Sequence, residues 1–531
     1  MVSRNIKAFT WHRCSSWNLV PRQILLRNAG SIHHKRHVHH KQLGQDTRDS
    51  RAEAVNLPLY RIPENDVYFL HSPSEFHETL LKLVKQAKRE IVLVSLYIGN
   101  ASRERDLISC IVEALSSNPS LTLKMLFDYG RGMRTAHDST KSSLQLCKEL
   151  RKQFGNRVQA HFFSVPWQQR FPWKYLKSKF QETVGVQHMK FYAFDEYAVI
   201  SGANLSRDYF SNRQDRYMVI EKGNDVIQDV NRLIDVVSSY SVDSCSLNRP
   251  SFFNSLFNYT QFRRKLTDIA TSGYKSSANR GLHFTPLLQF GQVELELERN
   301  VTEEVLKAAQ RLAIRGLKPT LHLATGYFNL HPQYEDLLVE IGKAGGTVNV
   351  LTASPQANGF HSATGLASSV PQAYTEYERD FLTKAKDAGA LGNIRLFEYT
   401  KPGWTFHSKG LWLSVHHPGR LRSESCNTAT ESCQITELFE RNGGTLGLIG
   451  SSNFSIRSVL RDLELQFLFF ASEENSEFIG KMTEERDNLW KFSRKVDLET
   501  LEKEPRNLNQ VFSFNRGKWI KVGKEVCKSF F

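Results

Sequence analysis

The sequence predicts an α/β fold built twice over. Strand-like apolar runs alternate with amphipathic helical runs from about residue 66. The order of these elements recurs from about residue 292. Each copy then reaches a His-x-Lys strand, "HMKFYAF" from His188 and "HSKGLWLS" from His407. Alternation of this kind predicts central sheets that are mostly parallel, with helices on their faces.

In the first copy "DVYFL" is a strand and "SPSEFHETLLKLVKQAKR" a helix. Ser72, Pro73 and Glu75 sit at capping-box spacing with proline at the first helical position. Phe76, Leu80, Leu83 and Ala87 recur at helical spacing. "EIVLVSLYIG", "RDLISCIVEAL" and "LTLKMLFDYG" continue as buried strand, helix and strand. The second copy repeats them. "NVTEEVLKAAQRLA" is a helix with Asn300 and Glu303 at capping-box spacing, and "TLHLATGYF", "YEDLLVEIGKAG" and "GTVNVLTA" follow as strand, helix and strand. A polar helix and a short strand come next in each copy: "KSSLQLCKELRKQF" with "VQAHFFSV", and "YERDFLTKAKDAG" with "NIRLFEYT". A repeat in element order indicates duplication. The domains read as 60–240 and 286–531. The segment 241–285 lies between them, and a polar loop insertion falls near 416–443.

A chain of 531 residues suits two or three domains, and 40% hydrophobic with 11% aromatic residues is enough to build a core. No run of 18 apolar residues occurs, so no membrane-spanning helix is predicted. The seven cysteines are scattered and odd in number, which argues against a disulfide framework and fits a reducing compartment. Before the first acidic residue, Asp46, stand Arg4, Lys7, Arg13, Arg22, Arg27, Lys35, Arg36 and Lys41. Such a start reads as a mitochondrial transit peptide over about residues 1–45, with a basic nucleic-acid-binding tail as the alternative. The formal charge is +15, and the body stays basic without that segment, which suits a phosphate-bearing partner.

Residues i and i+2 of a strand share a face, so His188 projects with Lys190, and His407 with Lys409. Each pair precedes a small-residue turn that ends in asparagine, "SGAN" at Asn204 and "GSSN" at Ser452–Asn453. Asp215 and Glu464 each lie eleven residues beyond their asparagine. Two histidines, two lysines and two asparagines suit a phosphodiester. The lysines and asparagines can bind non-bridging oxygens, one imidazole can take the phosphoryl group, and the other can move the proton. The two acids are suited to fix the imidazole tautomers, the bland alternative being surface salt bridges.

These motifs resemble the phospholipase D superfamily, whose signature is His-x-Lys-x4-Asp followed by Gly-Ser-x-Asn. The resemblance implies two α/β/α domains packed about a pseudo-two-fold axis around one shared site. It puts His188, Lys190, Asp195, His407 and Lys409 in the catalytic signature. Asn204, Ser452, Asn453, Asp215 and Glu464 take phosphate-binding or orienting places. Ser414 stands where the second copy would carry its aspartate, so Asp195 reads as a structural hydrogen-bonder within that signature.

Several longer stretches are similar to the eukaryotic mitochondrial phosphatidylglycerophosphate synthase family: "QHMKFYAFDEYAVISGANLSRDYFSNRQDRY", "LTASPQANGF", "FHSKGLWL" and "GSSNFSIRSVLRDLE". This similarity implies phosphatidyl transfer from CDP-diacylglycerol to glycerol 3-phosphate, toward cardiolipin, peripherally on the mitochondrial inner membrane. The alternatives are a lipid or nucleic-acid hydrolase of the same superfamily and a non-catalytic membrane scaffold. No nucleic-acid-binding module is visible, so no nucleic-acid partner is expected.

"LFDYGRGMR" lacks the Gly-Lys-Ser/Thr of a P-loop, but Arg131 and Arg134 are candidates for substrate phosphates. Asn358, in the matching second-copy segment, is a candidate pocket residue. "SFFNSLFNYTQFRRKL" carries an apolar stripe followed by arginines and reads either as an interfacial helix or as an interdomain helix packed on the core. No ligand spacing implies a metal, and no cofactor is required by the motif. A divalent cation would come with the diphosphate of CDP-diacylglycerol.

Overall fold

A computed structural model describes residues 57–135, 140–169, 173, 181–245, 256–272, 281–361, 370–416 and 434–503. The predicted transit segment lies outside them.

The duplication is plain in the sheets. The first half orders its strands Val242–Asp243, Val158–Phe163, Thr122–Asp128, Glu90–Val94, Phe191–Phe194, Tyr197–Ser201, Tyr217–Ile220, Val67–Leu70. The second half orders its strands Ser493–Val496, Ile394–Tyr399, Thr347–Ala353, Thr320–Ala324, Gly410–Val415, Gly444–Gly450, Glu464–Ala471, Leu282–Phe290. Strand for strand these are the same arrangement. The α/β class therefore holds, but the sheets are mixed rather than mostly parallel. Only the three strands joined through helices run parallel in each half. The strands that follow the His-x-Lys pairs run antiparallel to their neighbours in both halves, through a two-residue turn between Phe194 and Tyr197 in the first and through the segment 416–443 in the second.

Two boundaries move. Tyr60–Ile62, assigned to the first domain, pairs with Leu282–Phe290 at the edge of the second sheet. The predicted insertion contains a helix, Gln434–Asn442, whose Ile435 and Phe439 are buried, so it is not a surface loop throughout. Residues 417–433 of it lie outside the described region.

Local signals mostly act as expected. The helix Pro73–Gln86 starts at Ser72, whose Oγ accepts the Glu75 N–H at 3.2 Å. The Glu75 carboxylate reaches past the cap to the His71 N–H at 3.0 Å, a box displaced by one residue. The second predicted box fails. That helix begins at Leu297, which puts Asn300 exposed inside its first turns and leaves Glu303 paired with Arg299. The interdomain helix spans Leu256–Thr271 and seats Phe262, Leu266 and Ala270 in the core. Phe163 and Phe290 flank the Phe262 ring. Its apolar face is thus spent on packing, as in the interdomain reading. Among the described residues no helix is long and apolar enough to cross a membrane.

The halves share one core, where Phe191 of the first stacks on Phe467 of the second at 6.2 Å. A buried ion pair also joins them. The Arg216 Nε meets Glu485 at 2.6 Å, Nη1 donates to the Leu448 carbonyl at 2.7 Å, and the guanidinium lies 3.7 Å over the Trp412 ring. Trp412 Nε1 donates to the same carboxylate at 2.9 Å. Glu485→Ala would leave this guanidinium buried and unpaired. It is expected to cost about 3–5 kcal/mol of stability, read from denaturant unfolding.

Candidate active site

The His-x-Lys pairs do not lie within strands. His188 and Lys190 immediately precede Phe191–Phe194, and His407 and Lys409 immediately precede Gly410–Val415. Leaving the ladder lets each lysine curl back: Lys190 Nζ donates to the His188 carbonyl and Lys409 Nζ to the His407 carbonyl, both at 2.7 Å. The backbone N–H of each histidine is tied to the other half. His188 N donates to Leu463 O and His407 N to Gln214 O, both at 2.8 Å.

Those carbonyls belong to the residues just before Glu464 and Asp215. The acids therefore cross over. His188 Nδ1 donates to Glu464 at 2.9 Å, and His407 Nδ1 donates to Asp215 at 2.7 Å. Each imidazole is oriented by the acid of the opposite half. Both acids are fully buried, so the surface salt-bridge alternative fails. Lys409 Nζ also lies 2.6 Å from His407 Nδ1. A nitrogen that gives its proton to Asp215 has no lone pair left for an ammonium, so the bond Lys409 makes is the one to the carbonyl.

Burial sets the electrostatics. It raises the Glu464 carboxyl to about 7 and the Asp215 carboxyl to about 6, against the pull of the two lysines. Burial also lowers Lys409 to about 8, and burial then the neighbouring lysines hold both imidazoles well below their ordinary value. Holding cations in this buried setting is costly, and a bound phosphodiester anion would offset that cost. Gly202 is required here, because a Cβ would lie 2.7 Å from Lys409 Cδ and 2.8 Å from the Asp215 carboxylate. Gly410 has φ +150°, and its Cβ would strike Arg216.

The other candidates divide. Asn204 Oδ1 accepts from Ser95 at 3.4 Å, and Asn453 Oδ1 is buried with no partner among the described residues. Ser452 Oγ accepts the Phe454 N–H and shapes the turn. Asp195 is a correction to the catalytic set: it sits in a hairpin turn at φ 54° and accepts the N–H groups of Lys88, Arg89 and Glu90. Ser414, its counterpart, bonds Thr445 at 3.0 Å. Arg134 is paired with Glu182. Arg131 lies 4.8 Å over the Tyr97 ring. Asn358 is buried with Oδ1 on the Phe360 N–H, a loop-shaping role.

Sequence reasoning missed a ring of groups around the histidines. Tyr209 Oη lies 3.2 Å from His407 Nε2, with Arg213 stacked 4.9 Å over its ring. Tyr327 meets His407 edge-on at 5.9 Å. One signal could have found Tyr327, though not Tyr209: Ser95-x-Tyr97 and Thr325-x-Tyr327 recur at the same place in both copies. In each, the hydroxyl binds the tyrosine carbonyl at 3.1 Å. On the other side, Asp462 is held by Arg457 at 2.8 Å and by the Val186 N–H at 2.9 Å. Among the described residues, His188, Asp462 and Glu464 form the one cluster with metal-ligand spacing, within 4.8 Å of one another. Its atoms are already engaged by Arg457, the Val186 N–H and each other.

No family model matches the chain. The solved phosphatidylserine synthase of Haemophilus influenzae Rd KW20 has the same fold, with a TM-score of 0.67 over 90% of this chain and 96% of that one at 21% identity. Fold and site together define a phospholipase D-type enzyme, with two His-x-Lys halves closing on one centre. The mitochondrial CDP-diacylglycerol–glycerol-3-phosphate 3-phosphatidyltransferase of Homo sapiens is 30% identical over 524 residues, 90% of this chain and 84% of the relative. That of Gallus gallus is 29% identical over 90% of this chain and 85% of its own, and the Saccharomyces cerevisiae enzyme 28% over 84% and 86%. The chain belongs to this family of CDP-diacylglycerol–glycerol-3-phosphate 3-phosphatidyltransferases.

Proposed function

We propose that this chain transfers the phosphatidyl group of CDP-diacylglycerol to sn-glycerol 3-phosphate through a phosphohistidine, in mitochondria and toward cardiolipin. The observation that carries the reading is the crossed His–acid pairing around two buried lysines, in a chain of this family.

His188 is the nucleophile. Its Nδ1–H is held by Glu464, and no described residue hydrogen-bonds its Nε2. At His407 the corresponding lone pair already accepts the Tyr209 O–H. His188 Nε2 attacks phosphorus, an N–P bond forms, and the P–O bond to CMP breaks. CMP is a phosphate leaving group and needs little protonation. A glycerol 3-phosphate hydroxyl then displaces the Tyr209 O–H from His407 Nε2 and attacks phosphorus, His407 Nε2 takes its proton, and the N–P bond breaks. The products are phosphatidylglycerophosphate, CMP and one proton. Lys190 and Lys409 hold the non-bridging oxygens throughout. A divalent cation would enter on the CDP-diacylglycerol diphosphate rather than on the Asp462 cluster, whose oxygens are engaged.

The lipid arrives from a membrane surface. Trp167 and Trp173 are exposed, as is Leu460. Trp167 N and the Arg461 carbonyl both bind Gln292, and Gln181 binds the Trp173 carbonyl. Gln292 also donates to the Val184 carbonyl, and Gln168 to the Gln181 and Gly185 carbonyls, so the backbones that carry these groups lie beside the stretch leading into His188, and exposed tryptophan favours the bilayer interface.

Purified protein incubated with CDP-diacylglycerol, with and without glycerol 3-phosphate, tests the function. CMP release with a new phospholipid is expected. Phosphatidic acid alone would mean a hydrolase, and no turnover a scaffold.

Activity should be bell-shaped in pH. Glu464, raised to about 7, must be ionised, so kcat/KM falls as pH drops below about 7. Lys409, lowered to about 8, must be charged, so kcat/KM falls again above about 8. Glu464→Gln should move the acid limb of an initial-rate pH profile from about 7 down to about 6, where Asp215 sets it.

A further inference from the structure

We propose that Arg213 is the core of a subsite for the acceptor's own phosphomonoester, on the His407 side of the centre. The inference rests on the transfer proposed above. The duplicated fold gives the two histidines nearly equivalent surroundings, but one pair of related positions carries opposite charge. Nine residues after each asparagine stand Arg213 in the first half and Asp462 in the second. Asp462 is neutralised by Arg457. Arg213 is not matched in the same way. Its Nε donates to Thr405 Oγ1 at 3.0 Å, and Nη2 is 3.3 Å from Asp208, itself 44% exposed and so largely screened by water. Nη1 has no partner among the described residues, and the side chain is 18% exposed, open enough to be reached.

The surroundings fit a small anion. The Arg213 guanidinium stacks at 4.9 Å on Tyr209, whose ring meets His407 at 5.1 Å. One aromatic ring therefore separates this cation from the group that takes the acceptor proton. Three carbons separate the free terminal hydroxyl of glycerol 3-phosphate from its phosphate, so a molecule with its hydroxyl at His407 reaches Arg213 with its phosphate. Gly359 keeps the opening clear: a Cβ there would lie 3.3 Å from Tyr327 Oη and 3.6 Å from Arg213 Nη2. On the His188 side the related position is the carboxylate of Asp462, already engaged by Arg457 and the Val186 N–H, so that position offers a second phosphate no donor. The fold's symmetry serves one phosphorus shared by both histidines, and the Arg213/Asp462 exchange makes the centre one-sided for its acceptor.

Steady-state kinetics on Arg213→Gln and Arg213→Lys test this, with inorganic phosphate as a second probe. Arg213→Gln should raise the KM for glycerol 3-phosphate by about 10- to 100-fold, the scale of one lost charge-assisted contact. The inhibition constant of inorganic phosphate should rise with it, and the KM for CDP-diacylglycerol should move much less. Arg213→Lys keeps the charge without the planar fork and should fall between. A KM for glycerol 3-phosphate within about threefold of wild type in the folded Gln variant would overturn the assignment. So would a loss of kcat with both KM values unchanged, the mark of a merely structural arginine. If the Gln variant does not fold, an unchanged KM in the Lys variant overturns it equally. Wild-type protein that releases CMP without making phosphatidylglycerophosphate would instead sink the transfer reading itself.

Discussion

His188→Ala is expected to abolish the covalent phosphatidyl-enzyme and to lower kcat by about 10⁴-fold or more, the scale on which losing a covalent nucleophile acts. The motivation is geometric. Glu464 holds Nδ1 at 2.9 Å, which leaves the Nε2 lone pair directed into the site with no described partner. His407→Ala should cost less in CMP release, because CMP departs without help, and more in the second half-reaction, where a hydroxyl must lose its proton. Acid-quench trapping of radiolabelled lipid phosphate, followed by peptide mapping, decides between them. Label on the peptide that contains His407 would reverse the roles. No label, with both substrates needed before CMP leaves, would sink the covalent route and leave both histidines as acid–base groups.

Lys190→Ala and Lys409→Ala should each lower kcat/KM by about 10²–10³, as for loss of one preorganised donor to developing charge. Both ammonium groups are fully buried and bonded to the carbonyl of their own histidine, so neither can be replaced by water without disturbing the turn. Burial lowers Lys409 to about 8 and holds Lys190 well below its ordinary value, so the two lysines share the basic limb of the pH profile and each variant should shift it. An unshifted limb in both variants would assign it to another group.

These expectations rest on different kinds of information. The repeat, the spacing of His188 to Lys190 and of His407 to Lys409, and the acids eleven residues beyond each asparagine are local patterns. A strand or turn fixes where such residues point over a few positions, so the sequence alone determines that two half-sites exist and which groups each carries. It also shows through Ser414 that the aspartate position is dispensable, and Asp195 is found buttressing three backbone N–H groups.

Periodicity carries nothing about partners hundreds of residues away. That Glu464 serves His188 and Asp215 serves His407 was decided by two short swapped backbone contacts. Gln187 bridges Leu463, and Thr405–Phe406 pairs with Arg213–Gln214. The same contacts carry Tyr209 and Arg213 to His407, and Asp462 to His188. Alternation of strand and helix likewise predicts parallel pairing only as far as the His-x-Lys pairs, and the strands beyond them pair antiparallel in both halves. Residue types and spacing set the chemistry each half can offer. Only the packing of one half on the other made it a single centre, because desolvation there, and not composition, raises the acids and lowers the lysines.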